Sequence, residues 1–372
     1  MRILVINSGS SSIKYKLFDM PKERLISKGT LEHIGEQGSK FADHYCGLKT
    51  ILKGVDSVEA VGHRVVHGAE KFKKPAIVDQ KVIKGIKECC AIAPLHNPAN
   101  LSGILACQRL LPGIRQVAVF DTAFHQSIPA HAYIYGLPYD YYRRLKVRKY
   151  GFHGTSHEYV AAEASRILKK PLNKLKLISC HLGNGCSITA VDKGKSIDTS
   201  MGFTPLEGLV MGTRCGDVDP ALVTHIMHKE KIEALHMERI LNKESGLKGI
   251  SGISNDMRSL EIKARAGNKR ARLAIDIFVY RIRKYIGAYL SVLGGLDALI
   301  FTAGIGENQP SIRSNICRGL FSCLGKKPKI MVIPTNEELM IARQTYKLMY
   351  PSWANTRPER KWPVYPSWVR RK

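Results

Sequence analysis

Near the start of the chain, Ile3-Leu4-Val5-Ile6 and Ile13-Lys14-Tyr15-Lys16-Leu17-Phe18 flank Asn7-Ser8-Gly9-Ser10-Ser11-Ser12, a turn made only of Asn, Ser and Gly. Two β-rich runs around such a turn predict a hairpin. Its bend exposes many backbone N–H groups, which converge into an anion-binding concavity, and Lys14 adds a mobile positive charge just past it. An ordinary hairpin tip is the alternative for this run taken by itself. The same order of strand, small polar turn and strand returns from Leu177 to Asp192, around His181-Leu182-Gly183-Asn184-Gly185. A repeat of this kind suggests two similar lobes with a cleft between them, and 372 residues are enough for about two domains.

With 44% hydrophobic and 24% charged residues the chain reads as a folded soluble protein. The formal charge of +27 would point to nucleic acid if the basic residues stood in a block. Instead they are scattered at helix-like spacings, and the densest excess, six Lys or Arg against one Glu, lies in the last 23 residues. A solvated basic surface that attracts anionic substrates is the preferred reading. Nine cysteines without a C-x-x-C spacing write neither a disulfide framework nor a zinc site, so a reduced cytoplasm is the expected home. No signal-peptide core follows Met1, and the longest uncharged run, Cys89 to Gln108, contains Pro94, His96, Asn97, Pro98 and Asn100, so no membrane span is expected.

Several polar residues fall where α/β proteins place ligands, beyond the carboxyl ends of strands. Arg64 ends the predicted strand from Val58 and precedes a Gly-bounded turn, and Asp121 follows the predicted strand Arg115 to Phe120. A surface ion pair for Arg64 and a helix cap for Asp121 are the ordinary alternatives. Tyr150-Gly151-Phe152-His153-Gly154-Thr155-Ser156-His157 precedes a helix predicted to begin near Ser156, and helix N-termini attract anions. Arg214 sits in the turn-dense loop Gly212 to Pro220, and Asp256 and Arg258 in another small-residue loop. Leu296 to Thr302 reads as a strand that ends in Ala303-Gly304-Ile305-Gly306-Glu307-Asn308, a glycine loop through which a nucleotide approaches backbone. Ser27 to Lys53 shows only a weak helical pattern. The last predicted unit is a strand from Lys329, then a helix capped near Thr335 or Asn336.

Taken together, Asn7 to Lys14, Gly62 to Gly68, Tyr150 to Ser156, His181 to Gly185, Gly212 to Asp217, Gly304 to Asn308 and Pro334 to Glu338 resemble the acetate kinase family of the sugar kinase, actin and Hsp70-like superfamily. The resemblance covers roughly residues 1 to 348. It implies an α/β, two-lobed, actin-like ATPase (ribonuclease H-like) fold with duplicated βββαβαβα cores. Residues 1–122 would form the N-terminal lobe, rejoined by about 339–349, and 123–338 the nucleotide-binding C-terminal lobe. It also implies ATP and ADP as substrates, acetate or another short carboxylate as acceptor, Mg²⁺ (or Mn²⁺) as cofactor, and a homodimer.

By the same resemblance, Arg64 and Arg214 are the two active-site arginines, His153 the histidine that serves the transition state, and Asp121 the acidic residue with an acid–base or positioning role. Phosphoryl transfer is catalysed mainly by positioning and charge neutralisation, and acetate is already deprotonated at neutral pH, so a positioning role for Asp121 is favoured. Asn7 and Glu337 match the Mg²⁺ pair. Lys14, His181, Leu182, Gly183, Asn184, Gly185, Asp256, Met257, Arg258, Gly304, Ile305, Gly306, Glu307 and Asn308 match the ATP contacts. Val66, Leu95, Phe152 and Pro205 match the pocket for the substrate methyl group. Val66 is the residue that bears on chain length, since a smaller side chain there would suit propionate.

Two features depart from the family pattern. A short bridge, Gly325-Lys326-Lys327-Pro328-Lys329, replaces a longer insertion, and the tail 350–372, with Tyr-Pro-Ser-Trp twice and all three tryptophans, has no counterpart and reads as extended. Loss of a surface hairpin at the bridge would be tolerated; loss of a sheet strand would misplace Glu337. The alternatives carried forward are a propionate or butyrate kinase and a catalytically impaired nucleotide-binding homologue.

Overall fold

Two mixed sheets carry the fold, and they are built in the same order. The computed structural model describes residues 1–55, 57–322, 324–325 and 327–351. The first sheet contains β1 (Arg2–Ser8), β2 (Ile13–Asp19), β3 (Arg24–Leu31), β4 (Ala60–Val65), β5 (Ala76–Ile77) and β6 (Arg115–Phe120), in the order β3-β2-β1-β4-β6-β5. The second contains β7 (Lys176–Leu182), β8 (Cys186–Asp192), β9 (Lys195–Thr199), β10 (Ala298–Thr302) and β11 (Lys329–Val332), in the order β9-β8-β7-β10-β11. In each, three antiparallel strands are followed by strands that run parallel to the first: β4 beside β1 and β6 beside β4, β10 beside β7 and β11 beside β10. The loose sequence repeat is therefore a duplicated topology, as the resemblance implied.

The opening hairpin forms because Ile3, Leu4, Val5 and Ile6 all lie in the core, while the turn from Gly9 to Ser12 leaves Asn7 opposite Lys14 at its mouth. β3 and β9 escaped the sequence reading for one reason. β3 is an edge strand with no fully buried residue, so it has no apolar alternation; in β9, Lys195-Ser196-Ile197-Asp198-Thr199, the buried positions include Ser196 and Thr199. The expected weak helix over Ser27 to Lys53 is thus the end of β3 followed by helix His44–Lys53, whose N-cap Asp43 accepts from Cys46 N–H. The predicted glycine loop after β10 is also corrected, because helix Ala303–Asn308 begins directly at the strand's end.

Two helices lie between the sheets and give them a common core. Tyr159, Val160 and Ala164 from helix Gly154–Leu168 and Leu339 to Ala342 and Tyr346 from helix Glu337–Met349 share one apolar cluster with Ile3, Val5, Val117 and Val119 of the first sheet and Leu177, Val191 and Ile300 of the second. Helix 337–349 packs on β1 and β4 although it follows β11. Gly62 in β4 permits that approach: a Cβ there would stand 2.6 Å from Thr345 Oγ1 and 2.8 Å from Ile341 Cγ2. The 25-residue helix Lys269–Leu293 covers the other face of the second sheet. Among the described residues no helix is long and apolar enough to cross a membrane. Residues 352–372 of the expected extended tail lie outside the described residues.

Candidate active site

The carboxyl ends of β1, β4 and β6 deliver Asn7, Arg64 and Asp121 to one place. Arg64 donates from Nε and Nη2 to Asp121 Oδ2 at 3.0 and 2.6 Å, and its Nη1 reaches toward Asn7 Oδ1 at 3.4 Å. The other carboxylate oxygen of Asp121 accepts from Thr155 Oγ1 at 2.8 Å. With its side chain 1% exposed and hydrogen bonds at both oxygens, Asp121 is placed to orient Arg64. Burial works against the Arg64 charge, but Asp121 and Glu337 more than offset it, so the guanidinium is held even more firmly protonated than usual.

His153 enters from the opposite side. It stands at the start of helix 154–168 in the left-handed conformation, φ 55°, a strain of about 1–3 kcal/mol that surrounding contacts must hold in place. Gly154 explains how the helix comes so close to β6: a Cβ there would lie 2.0 Å from the carbonyl oxygen of Asp121. His153 stacks on His181 with ring centroids 4.1 Å apart. Burial first, then the neighbouring His181 and His157 and the cations Arg64 and Arg214, push its pKa well below the ordinary value, so it is a neutral imidazole near pH 7.

Arg214 meets His153 at the 183–185 turn, where a Cβ on Gly185 would lie 3.3 Å from Arg214 Nη1 and 3.5 Å from His153 Nε2. The half-buried Arg214 guanidinium makes only long contacts, 3.4 Å to the Pro205 carbonyl and 3.8 Å to Met211 Sδ, and has no carboxylate partner among the described residues. Burial lowers its pKa, which marks it as a cation short of an anion. The turn and the Arg214 loop are tied together by Gly212 N–H to the Asn184 carbonyl at 3.0 Å. Arg64, Asp121, His153 and Arg214, spread over 151 positions of sequence from 64 to 214, thus gather in one place.

Glu337 begins the last helix and lies 3.6 Å from Arg64 Nε, so the short bridge before β11 has not displaced it. Burial raises its pKa, and Asp121 and Glu338 add to that, against the pull of Arg64 and Lys16. Asn7 and Glu337 both border Arg64, which gives hard oxygen donors in a place with surplus negative charge. Such a set fits Mg²⁺, which takes few protein oxygens and keeps several waters. Among the described residues no group of three or more His, Cys, Asp or Glu side chains stands in metal-binding geometry.

The acetokinase family model matches residues 46–327. The chain belongs to the acetokinase family. A protein of Halothermothrix orenii named acetate kinase is 50% identical over 396 aligned positions, which cover 94% of this chain and 100% of that protein. The alignment is longer than this chain's 372 residues, because the relative carries segments that this chain lacks. A Porphyromonas gingivalis acetate kinase structure superposes with a TM-score of 0.88 at 43% identity, covering 94% of this chain and 99% of that one. A Francisella tularensis structure described as a propionate kinase gives 0.87 at 43% identity, with 93% and 99% covered.

The acetokinase motifs are not all placed alike. Lys14 is exposed at the hairpin mouth, and His181 Nδ1 is 2.8 Å from Ser156 Oγ. Asn184 Oδ1 accepts from Asn255 at 3.1 Å, which brings the 183–185 turn to the loop before Asp256. Gly304, Ile305 and Asn308 surround the first turn after β10. Other side chains are committed elsewhere. Glu307 Oε1 accepts from Ala303 N–H at 2.7 Å and Thr335 N–H at 3.1 Å, so this oxygen ties the start of helix 303–308 to the segment before the last helix. The Asp256 carboxylate caps helix Met257–Arg265, and Met257 is buried in the core, leaving main chain and the exposed Arg258 for a ligand. Of the pocket residues, Phe152 is buried and Val66 and Pro205 half-buried, whereas Leu95 is 64% exposed.

Sequence reasoning missed the residues that hold these in position. Asn100 accepts from Val66 N–H at 2.9 Å and donates to the Ser8 carbonyl at 2.7 Å; Asn97 accepts from His67 N–H at 3.0 Å and donates to the His67 carbonyl at 2.9 Å. Two buried asparagines three apart on helix Asn97–Leu110 were the signal available. His96, whose pKa is lowered by burial and then by Arg214 and Arg64, also faces the cleft.

Proposed function

We propose that the chain transfers the γ-phosphoryl group of ATP to acetate, giving acetyl phosphate and ADP, and runs the reverse reaction. The observation that carries this reading is Arg214, a half-buried guanidinium without a carboxylate partner among the described residues, converging with His153 across the cleft from Arg64. Arg64, aimed by Asp121, holds the acceptor carboxylate or the phosphoryl group it receives. Arg214 and neutral His153 donate to the equatorial oxygens, where charge builds in the transition state. No general base is required, in keeping with the engagement of both Asp121 oxygens.

The nucleotide is read as lying along Lys14, the 181–185 turn, the main chain at 256–258 and the short helix at 304–308, between lobes 1–122 and 123–338, with 339–349 returning to the first. Asn7 and Glu337 would hold Mg²⁺, which neutralises charge on the terminal phosphates when bound. The protein is proposed to work as a homodimer in the cytoplasm.

Acetate is favoured by Val66 and by the names of the curated relatives, and propionate is the second reading because the Francisella structure is as similar as the Porphyromonas one. Purified protein with Mg-ATP is assayed for ADP release with acetate, propionate and butyrate. The highest kcat/KM for acetate supports the proposal, and a higher value for propionate selects the second reading. Absence of carboxylate-dependent ADP release overturns both and leaves a nucleotide-binding homologue without turnover.

A further inference from the structure

We infer that Ser179, His157 and Ser187 form a directional hydrogen-bond relay that holds His153 as the tautomer with its proton on Nε2, the nitrogen that faces the cleft. The three are positioning residues, acting through His153.

The contacts form an unbroken chain. Ser179 Oγ lies 2.6 Å from His157 Nδ1; His157 Nε2 lies 2.7 Å from Ser187 Oγ; Ser187 Oγ lies 2.9 Å from His153 Nδ1. Ser179, His157 and Ser187 are completely buried. Neutral imidazoles each carry one proton, and each hydroxyl carries one and can accept two, so the chain can be ordered in three ways; one of them, with both rings donating to Ser187 Oγ, leaves that hydroxyl's own proton buried without an acceptor among the described residues, and two orders remain. In the first, Ser179 donates to His157 Nδ1, His157 Nε2–H donates to Ser187, Ser187 donates to His153 Nδ1, and His153 keeps its proton on Nε2. In the second every bond is reversed, and His153 turns a lone pair toward the cleft.

The far end of the chain decides between them. Ser179 Oγ has no hydrogen-bond partner other than His157 among the described residues. In the reversed order Ser179 must accept from His157, and its own proton is left without an acceptor in the interior, a costly state for a polar group. In the forward order that proton is satisfied by His157. Burial, followed by the charges of neighbouring histidines, holds His157 neutral, as burial does for His153, so neither ring breaks the chain by taking a second proton near pH 7. The stack of His181 on His153 keeps the ring plane in line with Ser187.

The consequence for chemistry is specific. A histidine that serves a phosphoryl oxygen without being cationic must present N–H, and which nitrogen bears the proton is set by the bond at the other one. The relay supplies that bond from β7, β8 and helix 154–168 before any substrate arrives. The identity of the accepting oxygen rests on the proposed phosphotransfer; the tautomer does not.

Two measurements separate the claims. Long-range ¹H–¹⁵N correlation spectra of ligand-free, ¹⁵N-histidine-labelled protein, with the His153 signals assigned by their loss in His153→Gln, are expected to show protonated Nε2 and unprotonated Nδ1. A protonated Nδ1 overturns the relay whatever the activity. In steady-state assays Ser187→Ala is expected to lower kcat on the order of 10- to 100-fold, the scale on which removing the hydrogen-bond partner of a metal-bound imidazole acts, with KM for ATP unchanged. Ser187→Thr, which keeps the hydroxyl, is expected to restore kcat to within a few fold. Ser187→Ala with full kcat, or a loss that Ser187→Thr does not recover in a folded protein, overturns the positioning role. Protonated Nε2 in a protein without carboxylate-dependent turnover would leave the relay standing and remove the proposed reaction.

Discussion

Glu158, one turn into the helix that begins at His153, links that helix to the last one: Gln344 Nε2 donates to its Oε2 at 2.7 Å. Burial raises its carboxyl pKa from 4.5 to about 7, against the opposing effects of the Gln344 bond and the Lys347 charge. The folded chain therefore keeps a proton that the unfolded chain releases, and stability falls as pH climbs from 4.5 toward about 7 and stays lower above it. A span of that size corresponds to roughly 3 kcal/mol in full, and because part of the residue meets solvent we expect about 2 kcal/mol. Glu158→Gln keeps an oxygen for Gln344 and never ionises. In urea denaturation followed by circular dichroism, it should be more stable than the parent by that amount at a pH of about 8.5 and indistinguishable at a pH of about 4.5. An equal gain at both pH values would show that the effect is not ionisation. A loss at the higher pH would refute the reasoning outright.

Other perturbations follow from the same contacts. Arg214→Ala removes a donor used mainly as charge develops, so kcat should fall by about 100-fold or more with ATP affinity nearly intact; an equal loss of ATP binding, read by calorimetry, would contradict that role. Val66→Ala enlarges the acyl pocket, and the ratio of kcat/KM for propionate over acetate should rise about tenfold, with no change counting against Val66 as a pocket wall. Gly62→Ala drives a methyl into Thr345 and Ile341 and should cost roughly 1–3 kcal/mol in denaturant unfolding while raising the Mg²⁺ needed for half-maximal rate, since Glu337 heads the displaced helix. A fully stable Gly62→Ala protein would mean the helix sits farther from β4.

Much of this architecture was legible because the strands that build the site are fully buried and carry their polar residues at their ends. Val65 and Phe120 pack in the core while Arg64 and Asp121, at the strand ends, turn toward each other, and polar residues closing an apolar run are a pattern a single sequence displays. The duplicated hairpin was legible in outline for the same reason. The edge strands were not, since β3 has no buried face to write into its sequence. Side chains that support others were also hidden. Asn97, Asn100, His157 and Ser187 act only through partners distant along the chain, and a polar residue in a core has no local pattern that announces its partner. Glu307 lies in the glycine-rich stretch that the resemblance assigns to nucleotide, and no local pattern announces that one oxygen of its carboxylate accepts from the Ala303 and Thr335 N–H groups.

The central claim is that Arg64, Arg214 and His153 surround the phosphoryl group in flight. A crystal structure of the protein with ADP, Mg²⁺, acetate and aluminium fluoride tests it most directly. The account predicts the fluoride complex between ADP and acetate, with both guanidinium groups and His153 Nε2 within about 3 Å of its equatorial ligands. Finding it bound elsewhere, or with Arg214 turned away from it, would contradict the account.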